Sequence, residues 1–125
     1  MSGERILLDT NAVIALLQGH DQLANRLAAA DWIGISVMTW MEFMSFPELS
    51  AEDAQLFVEA CSRLEVVGLT IDDRRLLELV VKVRSENQLK MPDAIIVGTA
   101  IYRDAILLTQ DRQLLGSRGG IVQEF

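Results

Sequence analysis

Two short runs, Ile6–Leu7–Leu8 and Ile106–Leu107–Leu108, are apolar without alternation, and each is followed within three residues by an aspartate. A strand with one wet face alternates apolar and polar side chains; a strand apolar at every position is buried on both faces, as in a parallel sheet covered by helices. Between these runs the apolar residues recur at helical spacing, as at Leu23, Ala24, Leu27 and Ala28. Strands separated by helices imply right-handed crossovers and an α/β fold. At 125 residues the chain has the length of one domain, and residues 1–125 read as a single unit.

The remaining elements follow from caps and breakers. Ala12 to Leu17 reads as a short buried helix ended by Gly19, and Trp32 to Val37 as a second strand. Thr39-x-x-Glu42 has capping-box spacing and is expected to open a helix that Pro47 closes. Ser50 opens the next helix, with Leu56, Phe57, Ala60, Cys61 and Leu64 as one apolar stripe. Glu65 to Leu69 reads as a third strand, and Thr70 as the cap of a long helix reaching about Gln88. Pro92 stands where a helix start tolerates it. The helix from Asp93 to Tyr102 is apolar enough to be buried, with Ala94, Gly98 and Ala100 permitting close packing. Ala105 to Thr109 is a fourth strand and Ile121 to Glu124 a short fifth, after a glycine-rich loop at 116–120. Trp32 and Trp40 read as core, His20 as a surface turn residue, and Cys61 as a buried thiol.

Composition narrows the function. Eighteen acidic against eleven basic residues give a net charge of −7, which argues against a broad phosphate-tracking surface. Arg74, Arg75, Lys82, Arg84 and Lys90 read as a solvated helix face balanced by Asp72, Asp73, Glu78 and Glu86 rather than as a basic strip. The longest uncharged apolar run, Ala94 to Tyr102, is about half of what a membrane helix needs, and a polar start with one cysteine fits a soluble cytoplasmic protein.

In an open α/β sheet, ligands bind beyond the carboxyl ends of the strands, where strand order reverses. Asp9 directly follows the first strand, Asp111 lies just past the fourth, Glu42 is in the helix after the second, and Asp93 is in the first turn of the buried helix. Each has an ordinary alternative: Asp9 and Asp93 suit a helix start, Glu42 a capping box and Asp111 a turn. Four carboxylates gathered at one edge repel and call for a cation, and a set of oxygen donors without cysteine or histidine suits Mg²⁺ or Mn²⁺. Such ions bridge carboxylates and phosphates, which suggests phosphodiester hydrolysis.

Leu7–Leu8–Asp9–Thr10–Asn11, Thr39-x-x-Glu42, Pro92–Asp93–Ala94–Ile95–Ile96 and Leu108–Thr109–Gln110–Asp111, in this order and over nearly the whole chain, resemble the PIN-domain ribonucleases, most closely the VapC-type toxins of toxin–antitoxin pairs. The resemblance implies a three-layer α/β/α fold around a parallel sheet of four to five strands. It implies metal-dependent RNA cleavage by an acidic quartet of Asp9, Glu42, Asp93 and Asp111, with Asp9 and Asp93 the most direct ligands and Asn11 and Thr109 in support. It further implies a homodimer and a cognate antitoxin whose basic or aromatic segment enters the acidic groove. Such toxins often carry a further acid and a phenylalanine after the last aspartate; here Arg112–Gln113–Leu114 stands there instead. Two other readings stay open: a non-catalytic module holding a protein partner, and a phosphoryl-transfer protein using Asp9 as nucleophile. The latter lacks the second aspartate, since Asn11 occupies that place.

Overall fold

The computed structural model describes residues 3–116 and 121–125. Five parallel strands form one sheet: β1 (Arg5–Leu8), β2 (Trp32–Ser36), β3 (Glu65–Val67), β4 (Ile106–Leu108) and β5 (Val122–Gln123), in the order β3-β2-β1-β4-β5. The helices are α1 (Thr10–Leu17), α2 (Asp21–Ala29), α3 (Val37–Met44), α4 (Ala51–Cys61), α5 (Arg74–Asn87), α6 (Met91–Tyr102) and the short α7 (Arg112–Leu115).

The absence of alternation in β1 has its expected cause. Ile6 and Leu8 enter one core with Val13, Leu23, Ile35, Phe43 and Phe57, while Leu7 enters the other with Ile96, Val97, Ala100 and Leu107. One layer of helices covers each face, giving the three-layer α/β/α architecture. On the second face α6 is buried from Ala94 through Ala100. It packs closely on α5 because a Cβ at Gly98 would lie 2.8 Å from Val80 Cγ2.

Several local expectations are corrected. α3 begins at Val37, not after Thr39, because Ser36 caps it by accepting from the Met38 N–H at 3.0 Å. Thr39 is therefore inside the helix and fully buried, its hydroxyl without a hydrogen-bond partner, and Glu42 lies in the later half. α5 is capped by Asp73, not Thr70. Of the apolar stripe on α4 only Phe57 is buried; Leu56 and Ala60 line a gap facing α1 and α2. Trp40 is 36% exposed and is not a core residue, whereas Trp32, half-buried at the start of β2, packs against the core on the second face. His20 caps α2, its Nδ1 accepting from the Leu23 N–H, with its ring against Phe125. Cys61 is partly buried, and burial pushes its thiol pKa up. Most of the glycine-rich loop, residues 117–120, lies outside the described residues.

Candidate functional site

The chain runs from β1 outward through β2 to β3, then returns to place β4 on the other side of β1. Strand order thus reverses between β1 and β4, and a crevice opens beyond their carboxyl ends. Asp9 stands there at the end of β1, its N–H donating to Leu108 O at 3.1 Å. Thr109 follows β4, and Asp111 two residues later caps α7 by accepting from the Gln113 N–H at 2.9 Å. α6 runs back across the sheet to feed β4, so its first turn, with Asp93, lies at this same edge. α3 leaves β2 from this edge and carries Glu42.

These four carboxylates line one cavity of about 300 Å³, together with Thr10, Asn11, Ile14 and Phe46. Asp9, the deepest, is 6% exposed. Its Oδ1 accepts from the Thr10 N–H at 2.8 Å, and its Oδ2 from the Thr109 hydroxyl at 2.6 Å and from Asn11 Nδ2 at 3.4 Å. Asn11 Nδ2 also reaches Thr109 Oγ1 at 3.3 Å, and its Oδ1 accepts from the Gln110 N–H at 3.0 Å. Thr109 Oγ1 accepts in turn from the Asp111 N–H at 2.9 Å. Asn11 and Thr109 therefore tie the turn after β1 to the turn after β4. Capping and cavity lining are not alternatives for Asp9 and Asp111, because each does both.

The electrostatics are those of partly buried like charges facing one cavity. Burial raises the Asp9 pKa, against the hydrogen bonds from Thr109 and Thr10, and the charge of Asp111 pushes the same way. Burial raises that of Asp93, reinforced by Asp111 and Asp9 and only partly opposed by Lys90. Glu42 is raised by burial and, less, by Asp9 and Asp93, against the Thr10 hydroxyl bond at 2.9 Å. Among the described residues no three acidic, histidine or cysteine side chains converge tightly enough to ligate an ion directly. The donor set, all oxygen and all anionic, fits a hard cation such as Mg²⁺, which retains waters and takes only one or two carboxylates directly.

Thr10, Ile14 and Phe46 had no individual signal in the sequence. Phe46 lies two residues past the end of α3, beyond the reach of helical spacing from Glu42.

A profile of the PIN domain matches residues 6–116. The fold is similar to that of a chain in a toxin–antitoxin complex from Klebsiella pneumoniae, at 30% identity and TM-score 0.76, over 94% of this chain and 95% of that one. It is also similar to chains of two complexes solved with DNA. These are VapBC2 from Rickettsia felis (19% identity, TM-score 0.77, 96% and 98% covered) and VapBC from Salmonella typhimurium (23%, 0.76, 97% and 98%). No curated protein matches the sequence significantly.

Proposed function

Because the chain belongs to the PIN-domain family, we propose that it is a metal-dependent endoribonuclease and the toxin half of a toxin–antitoxin pair. The observation that carries this reading is the lining of one cavity, at the reversal of strand order, by four carboxylates. A folded chain gathers like charges at such a cost only where something cationic is to be held.

Asp9 and Asp93 are the proposed direct ligands of Mg²⁺ or Mn²⁺, with Asp111 and Glu42 acting directly or through water. When bound, the ion neutralises charge on a substrate phosphate and lowers the pKa of a water. The chain's own residues do the positioning. Thr109, Thr10 and Asn11 fix both oxygens of Asp9. Thr10 holds Glu42, leaving that carboxylate able to accept a hydrogen bond from the attacking water and orient it. Asn11 and Thr109 keep the two turns, and hence Asp9 and Asp111, at constant separation.

The partners follow from the same charge. An inhibitor that fills the cavity must bring cations, so a cognate antitoxin is expected to enter with a basic or aromatic segment. A homodimer and a cytoplasmic location complete the proposal; no helix among the described residues is long and apolar enough to cross a membrane.

The test is cleavage of single-stranded RNA with Mg²⁺ or Mn²⁺, against chelator, by the native protein and by Asp9→Asn and Asp93→Asn. Asparagine keeps the size and, at Asp9, the capping oxygen. Metal-dependent cleavage lost in both variants is the expected result; equal cleavage in all three proteins overturns the reading. Absence of both cleavage and Mn²⁺ binding by the native protein favours an acidic docking module.

A further inference from the structure

Beside the acidic cavity lies a second, apolar one of about 460 Å³, and Ile14 and Phe46 form the wall between them. We propose that this second cavity is a nucleobase site, taking the base next to the phosphate at the carboxylates and stacking it on Phe46. The inference rests on the proposed nuclease reading and adds to it which part of the substrate is gripped.

Phe46 is 40% exposed at the mouth of both cavities, yet it is not loose. Its ring meets Phe43 edge-on at 5.7 Å, and Phe43 stacks on the buried Phe57 at 4.2 Å. Three rings in series thus brace one aromatic face at the surface. Ile14, Leu17 and Leu49 supply apolar walls. The volume lies in the range of small-ligand sites. Bases stack on such a platform only when splayed out of a helix, so the RNA of the proposed reaction is engaged single-stranded.

Charge separates base from phosphate as the occupant. Among the described residues the polar lining consists of Gln18, Glu48 and Asp53, and none of the described lining residues is cationic. A phosphate is repelled there, whereas an uncharged base offering N–H donors is accepted. Carboxylates accept from exocyclic amino groups, which adenine, cytosine and guanine carry and uracil does not. Uracil offers only its ring N3–H, so the site favours the amino-bearing bases over uracil at the adjoining position.

Saturation-transfer NMR of the full chain in chelator, with adenosine, cytidine, guanosine and uridine separately, reads base contact without turnover. Transfer to base protons is expected for all four, weakest for uridine. Phe46→Ala and Phe46→Leu should weaken binding about tenfold, the order of one lost base–aromatic stack, and Phe46→Tyr should retain it. Glu48→Gln should narrow the gap between uridine and cytidine. No transfer from the native protein, or undiminished binding by Phe46→Leu, overturns the base site. Because no cleavage is involved, nucleoside contact in a protein that cuts no RNA overturns the nuclease reading alone. Cleavage by a protein without nucleoside contact overturns the base site alone.

Discussion

The two edges of the sheet treat carboxylates in opposite ways. At the amino edge Glu4, next to β1, forms an ion pair with Arg26 at 2.9 Å, and Glu65, the first residue of β3, one with Arg103. Hydrogen bonds from these arginines hold both acids below the usual range. Trp32 donates its indole N–H to Glu65 at 3.3 Å, Arg5 lies over the Trp32 ring and Arg103 over Tyr102, so charge and aromatic surface interlock. At the carboxyl edge Asp9, Glu42 and Asp93 are all raised, with hydroxyls, an amide and backbone N–H groups in place of guanidinium partners. One chain thus satisfies its acids at one edge and leaves them desolvated, and secondarily repelling one another, at the other. Sites that trade stability for chemistry have this character.

The sharpest way to break that contrast is one neutral substitution at each edge. Asp93→Asn should lower metal-dependent RNA cleavage by about 10²–10³-fold, the scale of losing one preorganised electrostatic group. In chelator the same variant should melt higher than the native protein, by about 0.5–2 kcal/mol of relieved desolvation and repulsion. Glu65→Gln should do the reverse, leaving cleavage unchanged and lowering the melting temperature. Parallel assays of activity and thermal melting check both, and a loss of stability in Asp93→Asn would contradict the desolvation and repulsion assigned to the carboxyl edge.

Next in size is the response to metal. Mg²⁺ at one hundred times its dissociation constant should stabilise the native protein by about 2.7 kcal/mol through mass action. Asp93→Asn should lose most of that gain and Glu65→Gln none of it. A smaller effect is expected from Thr109→Val, which keeps the shape of a fully buried side chain but removes the donor to Asp9. Metal affinity measured by calorimetry should fall about 10–100-fold, as for other groups that orient a ligand.

How much of this was readable beforehand depended on whether the signal was local. β1 and β4 were legible because strands buried on both faces have no alternation to hide, and α6 because an apolar helix braced by Gly98 has few other places to go. Those elements fix the topology, and topology alone brings Asp9, Asp93 and Asp111 to one edge. Glu42 lies at the same edge although its helix starts three residues earlier than a Thr39 cap predicts. Thr39-x-x-Glu42 has the spacing of a cap, but Ser36 performs the capping, and Val37 prolonged the apparent strand. The exposure of Leu56 on α4 was not legible either. An apolar stripe states which face a helix would bury, not whether a neighbour stands close enough to cover it. The braced ring of Phe46 depends on contacts with Phe43 and, through it, Phe57, which spacing does not encode.

The smallest expected effect is the pH dependence of stability, and its sign differs between the edges. Asp93 has a folded pKa above its unfolded value of about 3.9. Its contribution is present below that value and is lost as pH rises through the folded one. Glu65 has a folded pKa below its unfolded value of about 4.3, so its contribution is present above that value and is lost as pH falls through the folded one. In chelator and low salt, the stability gain of Asp93→Asn should therefore be absent near pH 3 and grow toward neutrality. The deficit of Glu65→Gln should be full at neutrality and fade near pH 3, never exceeding about 1 kcal/mol because the pair is partly exposed and screened. Melting curves across this range distinguish the two. A gain in Asp93→Asn that does not change with pH would assign it to packing rather than to charge, and the contrast between the edges would then be one of shape.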